Sequence, residues 1–301
     1  MLTVLLATRN GSTTLPRMLE ALSSLEAPDD GWRLVVVDNG STDGTLKLLE
    51  SWAEELPLAI VSEPRPGKNI ALNAGLRFVV GDMVVLTDDD VVPKSDWLLC
   101  LRSVMESNPE YDVVGGRIEP LWEAAPPDSL RHLGPLFSIT DPELEEGPAH
   151  PQLIWGPNMA VRMRVFDAGY RFDETIGPSP SPNYTMGSET EFTSRLYRDG
   201  YRCWFSRAPC VGHMIPKEHL AHRWMFGRAR RLGRAQARLG QRRAHVPKIL
   251  GVPRWIFRRI VELPALYIWA TVCRDPQGQF EARWETNILI GRLAQHFESK
   301  F

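Results

Sequence analysis

A chain of 301 residues, 43% hydrophobic and 24% charged, holds enough apolar material for a packed core and is no disordered polymer. Its four cysteines, Cys100, Cys203, Cys210 and Cys273, lie far apart without a C-x-x-C pair, which argues against a disulfide framework and a zinc cluster and fits a reducing compartment. The net charge of −2 conceals an asymmetry: residues 216–260 carry 13 Lys/Arg and one acid, Glu218, a local +12 that leaves −14 elsewhere.

Met1-Leu2-Thr3-Val4 has no basic stretch followed by an apolar core, so no signal peptide is read and a cytoplasmic location is expected. Thr3–Ala7 predicts a strand, and Leu15–Leu25 a helix with Leu15, Met18, Leu19, Leu22 and Leu25 on one face. A strand follows at Leu34–Val37, then the turn Asp38-Asn39-Gly40-Ser41 and a helix over Thr42–Leu56. Leu58–Val61 is a strand, Lys68–Val80 a helix, Met83–Thr87 a strand, and a further helix starts near Asp96. This alternation is the signature of a parallel sheet with helices on both faces. Residues 123–151, rich in Pro, Glu and Asp, read as an excursion. Order resumes at Trp155, and Pro178–Pro182 is a second loop. A helix over Glu189–Arg198 and short strands at Cys203–Phe205 and Val211–His213 complete an expected α/β domain of residues 1–215. Beyond Pro216 lie amphipathic helices rich in Arg and Trp, residues 216–301.

Ligands on such sheets sit beyond the C-terminal strand ends. Three polar clusters fall there: Thr8-Arg9-Asn10, Asp38-Asn39-Gly40-Ser41 and Asp88-Asp89-Asp90. Three adjacent carboxylates after a buried strand repel one another. A hard divalent cation, Mg²⁺ or Mn²⁺, resolves that repulsion; a solvated acidic turn is the plainer alternative. G-x-x-x-x-G-K-[ST] is absent, and so is G-x-G-x-x-G after the first strand, which disfavours a P-loop NTPase and a dinucleotide dehydrogenase. Asp38 suits either a base N–H or an Asx-turn. Lys68 and Asn69 open a helix, where a pyrophosphate would meet a cation and N–H groups, although Lys68 is equally well a solvated helix-start residue.

Five motifs in order resemble the family 2 glycosyltransferases of the GT-A fold: residues 35–45, 67–75 and 86–90, then Gly156-Pro157-Asn158-Met159-Ala160 and Gly187-Ser188-Glu189-Thr190-Glu191-Phe192. The resemblance covers about residues 1–215 and implies a GT-A, Rossmann-like mixed sheet. It implies nucleotide contacts at Thr8, Arg9 and Asp38, diphosphate contacts at Lys68 and Asn69, and a ribose or metal role for Asp88. Asp90 would ligate the metal, with Asp89 the less certain member. Gly156 and Asn158 would lie against the donor sugar, although Pro157 departs from the usual pattern. His213 would complete the metal or diphosphate site, unless it is simply a hydrogen-bonded structural residue. The Asp that such enzymes use as base is missing. Glu189 takes its place, or the register differs and Glu191 does.

The implied reaction is inverting transfer from a nucleotide-diphosphate sugar, UDP-linked in this reading, to an acceptor hydroxyl on a lipid-linked saccharide or surface polysaccharide. Two rivals stay open: a sugar-phosphate nucleotidyltransferase, which usually carries a Gly-rich, Arg-containing loop after its first strand that Ala7-Thr8-Arg9-Asn10-Gly11-Ser12 does not match, and a non-catalytic nucleotide-sugar-binding membrane scaffold. The basic tail has no helix-turn-helix or zinc signature, so no nucleic-acid partner is expected. Its arginines alternate with Trp224, Phe226, Trp255 and Phe257, which suits peripheral docking on an anionic membrane surface; a helical lid is the alternative. Residues 260–273 contain Glu262 and Pro264 and are too short to span a bilayer.

Overall fold

The computed structural model describes residues 1–127, 134, 136–181, 183–240, 247–249 and 252–298. In chain order the elements are β1 (Leu2–Thr8), α1 (Leu15–Ser23), β2 (Trp32–Asp38), α2 (Thr45–Ser51), β3 (Leu58–Ser62), α3 (Lys68–Gly75) and β4 (Met83–Leu86). There follow β5 (Val91–Pro93), α4 (Trp97–Ser107), β6 (Val113–Trp122), β7 (Gly147–Pro148), β8 (Met159–Arg162), α5 (Met163–Asp167), α6 (Ser188–Arg198) and β9 (Cys203–Ile215). The last elements are α7 (His222–Gly240), β10 (Lys248–Ile249), β11 (Val252–Pro253), α8 (Arg254–Val272) and α9 (Pro276–Glu298).

Among the described residues the chain forms two compact units. The first comprises residues 1–123, 137–180 and 188–215; the second comprises 124–136, 181–187 and 216–301. In the first, one mixed sheet runs in the order β3-β2-β1-β4-β8-β6-β9-β5, with β7 added to β9. The β3-β2-β1-β4 half is parallel; β8 runs antiparallel to both β4 and β6. Alternation in β1 explains the layering. Leu2, Val4 and Leu6 pack with α1 and α4 on one face, while Leu5 joins the cluster under α3, α5 and α6 on the other. Each side chain is fully buried, so both faces of the strand read as hydrophobic.

Three elements differ from their sequence expectation. The helix expected over Thr42–Leu56 is confined to Thr45–Ser51; Asp43, before its Gly44 N-cap, accepts from both the backbone N–H and the hydroxyl of Thr45 and holds the preceding turn. The helix from Lys68 ends at Gly75 and tightens into a 3₁₀ turn over Leu76–Phe78. The two short strands expected near residues 203 and 211 are one strand, β9. It pairs parallel to β6 from Val113↔Cys203 to Trp122↔Ile215, with a register shift between Gly115 and Arg117 where the polar run Ser206–Pro209 is accommodated.

In the second unit α7 and α8 both pack on α9. The approach of α7 to α9 is close: a Cβ on Gly233 would lie 2.8 Å from the carbonyl carbon of Ile288, and one on Gly291 2.8 Å from that of Arg230. The apolar residues of the basic helix face inward, with Met225 and Phe226 buried. This corrects the expectation that Phe226 belongs to an outward membrane face. The exposed apolar surface lies on α8 instead, at Trp255, Phe257, Ile260, Val261, Leu266, Ile268, Trp269 and Val272. No helix among the described residues is long and apolar enough to cross a membrane.

Candidate active site

The C-terminal ends of β1, β2 and β4 open onto a cavity of about 430 Å³. Thr8 and Arg9 line it from the end of β1, Asn39 from β2, Gly67 and Lys68 from the start of α3, and Asp88-Asp89-Asp90 from the end of β4. Pro178, Ser179 and Pro180 form its remaining wall. Parallel pairing of β1 with both β2 and β4 aligns these ends, which is why clusters 30 and 50 residues apart in the chain converge (roughly, from strand spacing of about 4.8 Å).

Asp88-Asp89-Asp90 also joins two parts of the sheet. After β4 the chain crosses to β5, which pairs with β9 in the register Val91↔His213. That pairing sets His213 beside Asp90: its Nε2 lies 3.2 Å from Asp90 Oδ2, and its Nδ1–H donates to the Phe137 carbonyl at 2.8 Å. Burial disfavours charge on the imidazole, but the hydrogen bond to Asp90 and that residue's charge outweigh it and hold the His213 pKa above its ordinary value. Burial would raise the Asp90 pKa, and the hydrogen bond and charge of His213 reverse this, leaving it lowered.

Lys68 occupies the centre of the site. Its ammonium donates to Asp88 Oδ1 at 2.5 Å and to Glu189 Oε1 at 2.9 Å. Burial opposes its charge, yet the two carboxylates win and the Lys68 pKa rises. Asp88 is pushed the other way from an ordinary ion-paired carboxylate: burial raises its pKa more than Lys68 lowers it, and Asp90 and Glu189 add to the rise. Burial pushes Asp89 up to about 7, against the hydrogen bond that Thr8 Oγ1 donates to its Oδ2 at 2.5 Å.

Glu189, in the first turn of α6, reaches this network because Gly156 leaves it room. A Cβ on Gly156 would sit 2.8 Å from the Glu189 Cγ and Cδ. Glu191, the other candidate from the sequence, is buried and forms an ion pair with Arg195 at 3.0 Å one turn along. Of the remaining expected contacts, Asp38 is buried at the end of β2, and its Oδ1 accepts from Ser41 N at 3.2 Å. Asn69 is buried, donating to the Asp173 carbonyl at 2.8 Å.

Asn158 does not lie against the cavity. It is 0% exposed. Its Oδ1 accepts from Trp97 Nε1 at 2.9 Å, and its amide donates to the carbonyls of Arg117 and Pro209 at 2.9 and 3.0 Å. Its polar atoms are spent on holding β6, β9 and α4 together, so a sugar-contact role is corrected to a structural one. Asn39, placed by the sequence within the polar cluster after β2 but given no role of its own, also lines the cavity. Its amide donates to the carbonyls of Glu63 and Arg65, each at 2.8 Å, and its Oδ1 accepts from Gly67 N at 2.7 Å. It thereby ties the β2 end to the segment that delivers Lys68. An Asn between Asp38 and Gly40 at a strand end was the available signal.

The donor set suits a divalent cation. Asp88, Asp89, Asp90 and Glu189 face one lysine and one histidine, and Asp90 Oδ1 is a buried oxygen with no hydrogen-bond partner among the described residues. Carboxylates and an imidazole fit Mn²⁺ or Mg²⁺. The side chains are not yet gathered around one point: among the described residues no three His, Cys, Asp or Glu form a ready cluster, since Asp88 turns toward Lys68.

Comparison with known proteins agrees with this geometry. The sequence model described as "Glycosyl transferase family 2" matches residues 3–168. Glycosyltransferase AglE of Haloferax volcanii is 23% identical over 307 residues, covering 97% of this chain and 93% of its own. The dolichyl-phosphate beta-glucosyltransferase ALG5A of Trichomonas vaginalis is 31% identical over 122 residues, 36% of this chain and 38% of its own, so there the likeness is confined to about a third of each protein. Among solved structures, the mannosyltransferase PcManGT from Pyrobaculum calidifontis, in complex with GDP-Man and Mn²⁺, superposes with a TM-score of 0.67 at 22% identity, covering 99% of this chain and 87% of that one. S. aureus TarS 1-349 in complex with UDP-GlcNAc superposes with a TM-score of 0.57 at 17% identity, covering 98% and 91%. These likenesses show the GT-A fold. The family match spans more than half of the chain and includes the strand ends that form the cavity, and on that ground the protein belongs to glycosyl transferase family 2.

Proposed function

We propose that the protein transfers a sugar, with inversion, from a UDP-sugar to a hydroxyl of a lipid-linked saccharide at a membrane surface. The observation that carries this is the meeting of Lys68 and the three aspartates at one cavity on the β1, β2 and β4 ends, with Glu189 bound to the same Lys68 ammonium. A base N–H docks on Asp38. One oxygen of that carboxylate is already engaged by Ser41 N–H, which favours uracil, with its single imide N–H, over guanine, with two adjacent donors. The diphosphate lies by Lys68 and the first turn of α3, where an ammonium and a helix N-terminus both favour negative charge. Glu189 takes the proton of the acceptor hydroxyl as it attacks the anomeric carbon from the face opposite the leaving group. Lys68 holds the Glu189 carboxylate in place at 2.9 Å before the acceptor arrives. Asp90 and His213, with Asp88, would hold Mn²⁺ or Mg²⁺, which offsets the charge growing on the leaving diphosphate.

A polyprenyl-phosphate lipid on the acceptor side is supported by relatives named for dolichyl-phosphate and undecaprenyl-phosphate, the second being the 4-deoxy-4-formamido-L-arabinose transferase of Proteus mirabilis; the saccharide hydroxyl rests on Glu189 as base. The membrane surface is supported by the apolar face of α8, flanked by Arg254, Arg258 and Arg259. The test is an assay of product release with a panel of UDP- and GDP-sugars and Mn²⁺. Free UDP, formed only when a polyprenyl-linked saccharide is added, is expected. Pyrophosphate as the product would make the protein a nucleotidyltransferase, and binding without either product would make it a scaffold.

A further inference from the structure

The C-terminal unit contains a second cavity, of about 490 Å³, which the transfer chemistry does not use. Five arginines line it: Arg223, Arg230, Arg231 and Arg234 from α7 and Arg283 from α9. Their spacing on α7 returns them to one face, and Gly227, between Arg223 and Arg230, leaves the space open on that face. No Asp or Glu lines the cavity among the described residues.

Four of the five guanidiniums are held by a ring or a hydrogen bond, and the set largely lacks counter-charge. Arg231 lies over the Tyr184 ring at 5.0 Å, and Arg283 over the Phe226 ring at 4.6 Å. Arg230 Nε donates to the neutral Asn287 Oδ1 at 2.7 Å. Arg234 alone has a carboxylate, donating to both oxygens of Glu298 at 2.7 and 2.6 Å. Arg223, Arg231 and Arg283 have no acidic partner among the described residues, and Arg231 Nε–H is buried without an acceptor. A solvated basic face would spread such charges outward on a convex helix. Here they converge on a concave space, where mutual repulsion is costly and a polyanion relieves it.

We propose that this arginine-lined cavity binds a phosphate or diphosphate group of a ligand other than the sugar donor. Planar guanidiniums present paired N–H donors that match phosphate oxygens, and several can share one tetrahedral anion. A membrane surface is a poorer fit to this cavity, because the exposed apolar face lies on α8 and the arginines converge on a concave space.

The experiment titrates the full-length protein with inorganic pyrophosphate by calorimetry at low and high salt. Lys68→Ala removes any pyrophosphate held in the first cavity; the binding that survives in that variant is expected to weaken at least about tenfold when Arg223→Gln/Arg283→Gln is added, and to fall at high salt. Both replaced side chains are exposed, so the fold should persist; Arg231→Gln is the second variant, checked by its melting temperature. Undiminished pyrophosphate binding in both arginine variants on that background overturns the proposal, and so does loss of all binding in Lys68→Ala alone, which would put the anion in the first cavity. Phosphatidylcholine vesicles carrying a polyprenyl monophosphate then identify the source. Competition with pyrophosphate makes the natural ligand lipid-borne, and absence of competition makes it a soluble phosphate; both keep the site.

Discussion

At the scale of single residues, the proposed chemistry rests on Glu189 and the Lys68 ammonium that holds it. Replacement by Gln keeps its shape and its contact with Lys68 but removes the proton acceptor. Transfer by Glu189→Gln should fall about 10²–10⁴-fold with donor affinity little changed. Normal turnover in that variant, measured as UDP release, would remove Glu189 as the base; it would fit an acceptor phosphate that needs no deprotonation. Gly156→Ala tests the same arrangement from the other side. Its new Cβ would meet the Glu189 stem at 2.8 Å and must displace it, so kcat is expected to drop at least about tenfold with donor KM nearly constant. The triple aspartate was legible in the sequence because adjacent acids after an apolar strand are a local feature. The proposed preference for Glu189 over Glu191 was only half legible, because it rests on the ion pair of Glu191 with Arg195. Asn158 was misread for a related reason: its partners, Trp97, Arg117 and Pro209, are distant in sequence, and burial is what separates a sugar-binding Asn from a structural one.

At the scale of elements, the first four strands and their helices were legible because their periodicities are local. The far half of the sheet was not. β5 follows β4 directly in the chain yet sits at the opposite edge, and β9 runs through the polar segment Ser206–Pro209 that made it look like two strands. The His213–Asp90 contact depends on both facts. In the C-terminal unit, composition identified amphipathic helices but not which face is outward. α7 buries its apolar side on α9, and α8 exposes its own, with Val261 at 73% and Trp269 at 68%. Val261→Asp/Trp269→Glu should therefore lower co-sedimentation with anionic vesicles about tenfold or more, with the melting temperature nearly unchanged because little packing is lost. Equal sedimentation of variant and wild type would remove α8 as the docking face. Substantial wild-type binding should survive high salt, since apolar insertion is not screened.

At the scale of the whole molecule, four thiols are carried without a disulfide. Burial pushes Cys203 up to about 12 and, with Asp96, Cys100 up to about 11. At pH 8 the thiolate fraction of Cys203 is on the order of one in ten thousand, so iodoacetamide should label exposed Cys273 and spare Cys203 until urea unfolds the chain. Rapid labelling of Cys203 in the folded protein, read by mass spectrometry, would contradict its burial. The same shift carries a stability consequence of definite sign. Folded Cys203 binds its proton more tightly than the unfolded thiol, so its contribution is complete below about pH 9 and is lost as pH rises toward 12. The urea midpoint should fall across that interval.

The path of the chain between its two units limits how such a protein can be taken apart or recombined. The C-terminal unit is not a terminal appendage, because residues 124–136 and 181–187 belong to it as well. The second insertion is anchored in sequence to the first unit: Pro180, just before it, lines the cavity at the strand ends, and Gly187, its last residue, directly precedes the helix that carries Glu189. Cutting at residue 215 would strand both insertions without their partners. A chimera that exchanges the C-terminal helices as a cassette must therefore exchange three segments of the chain together.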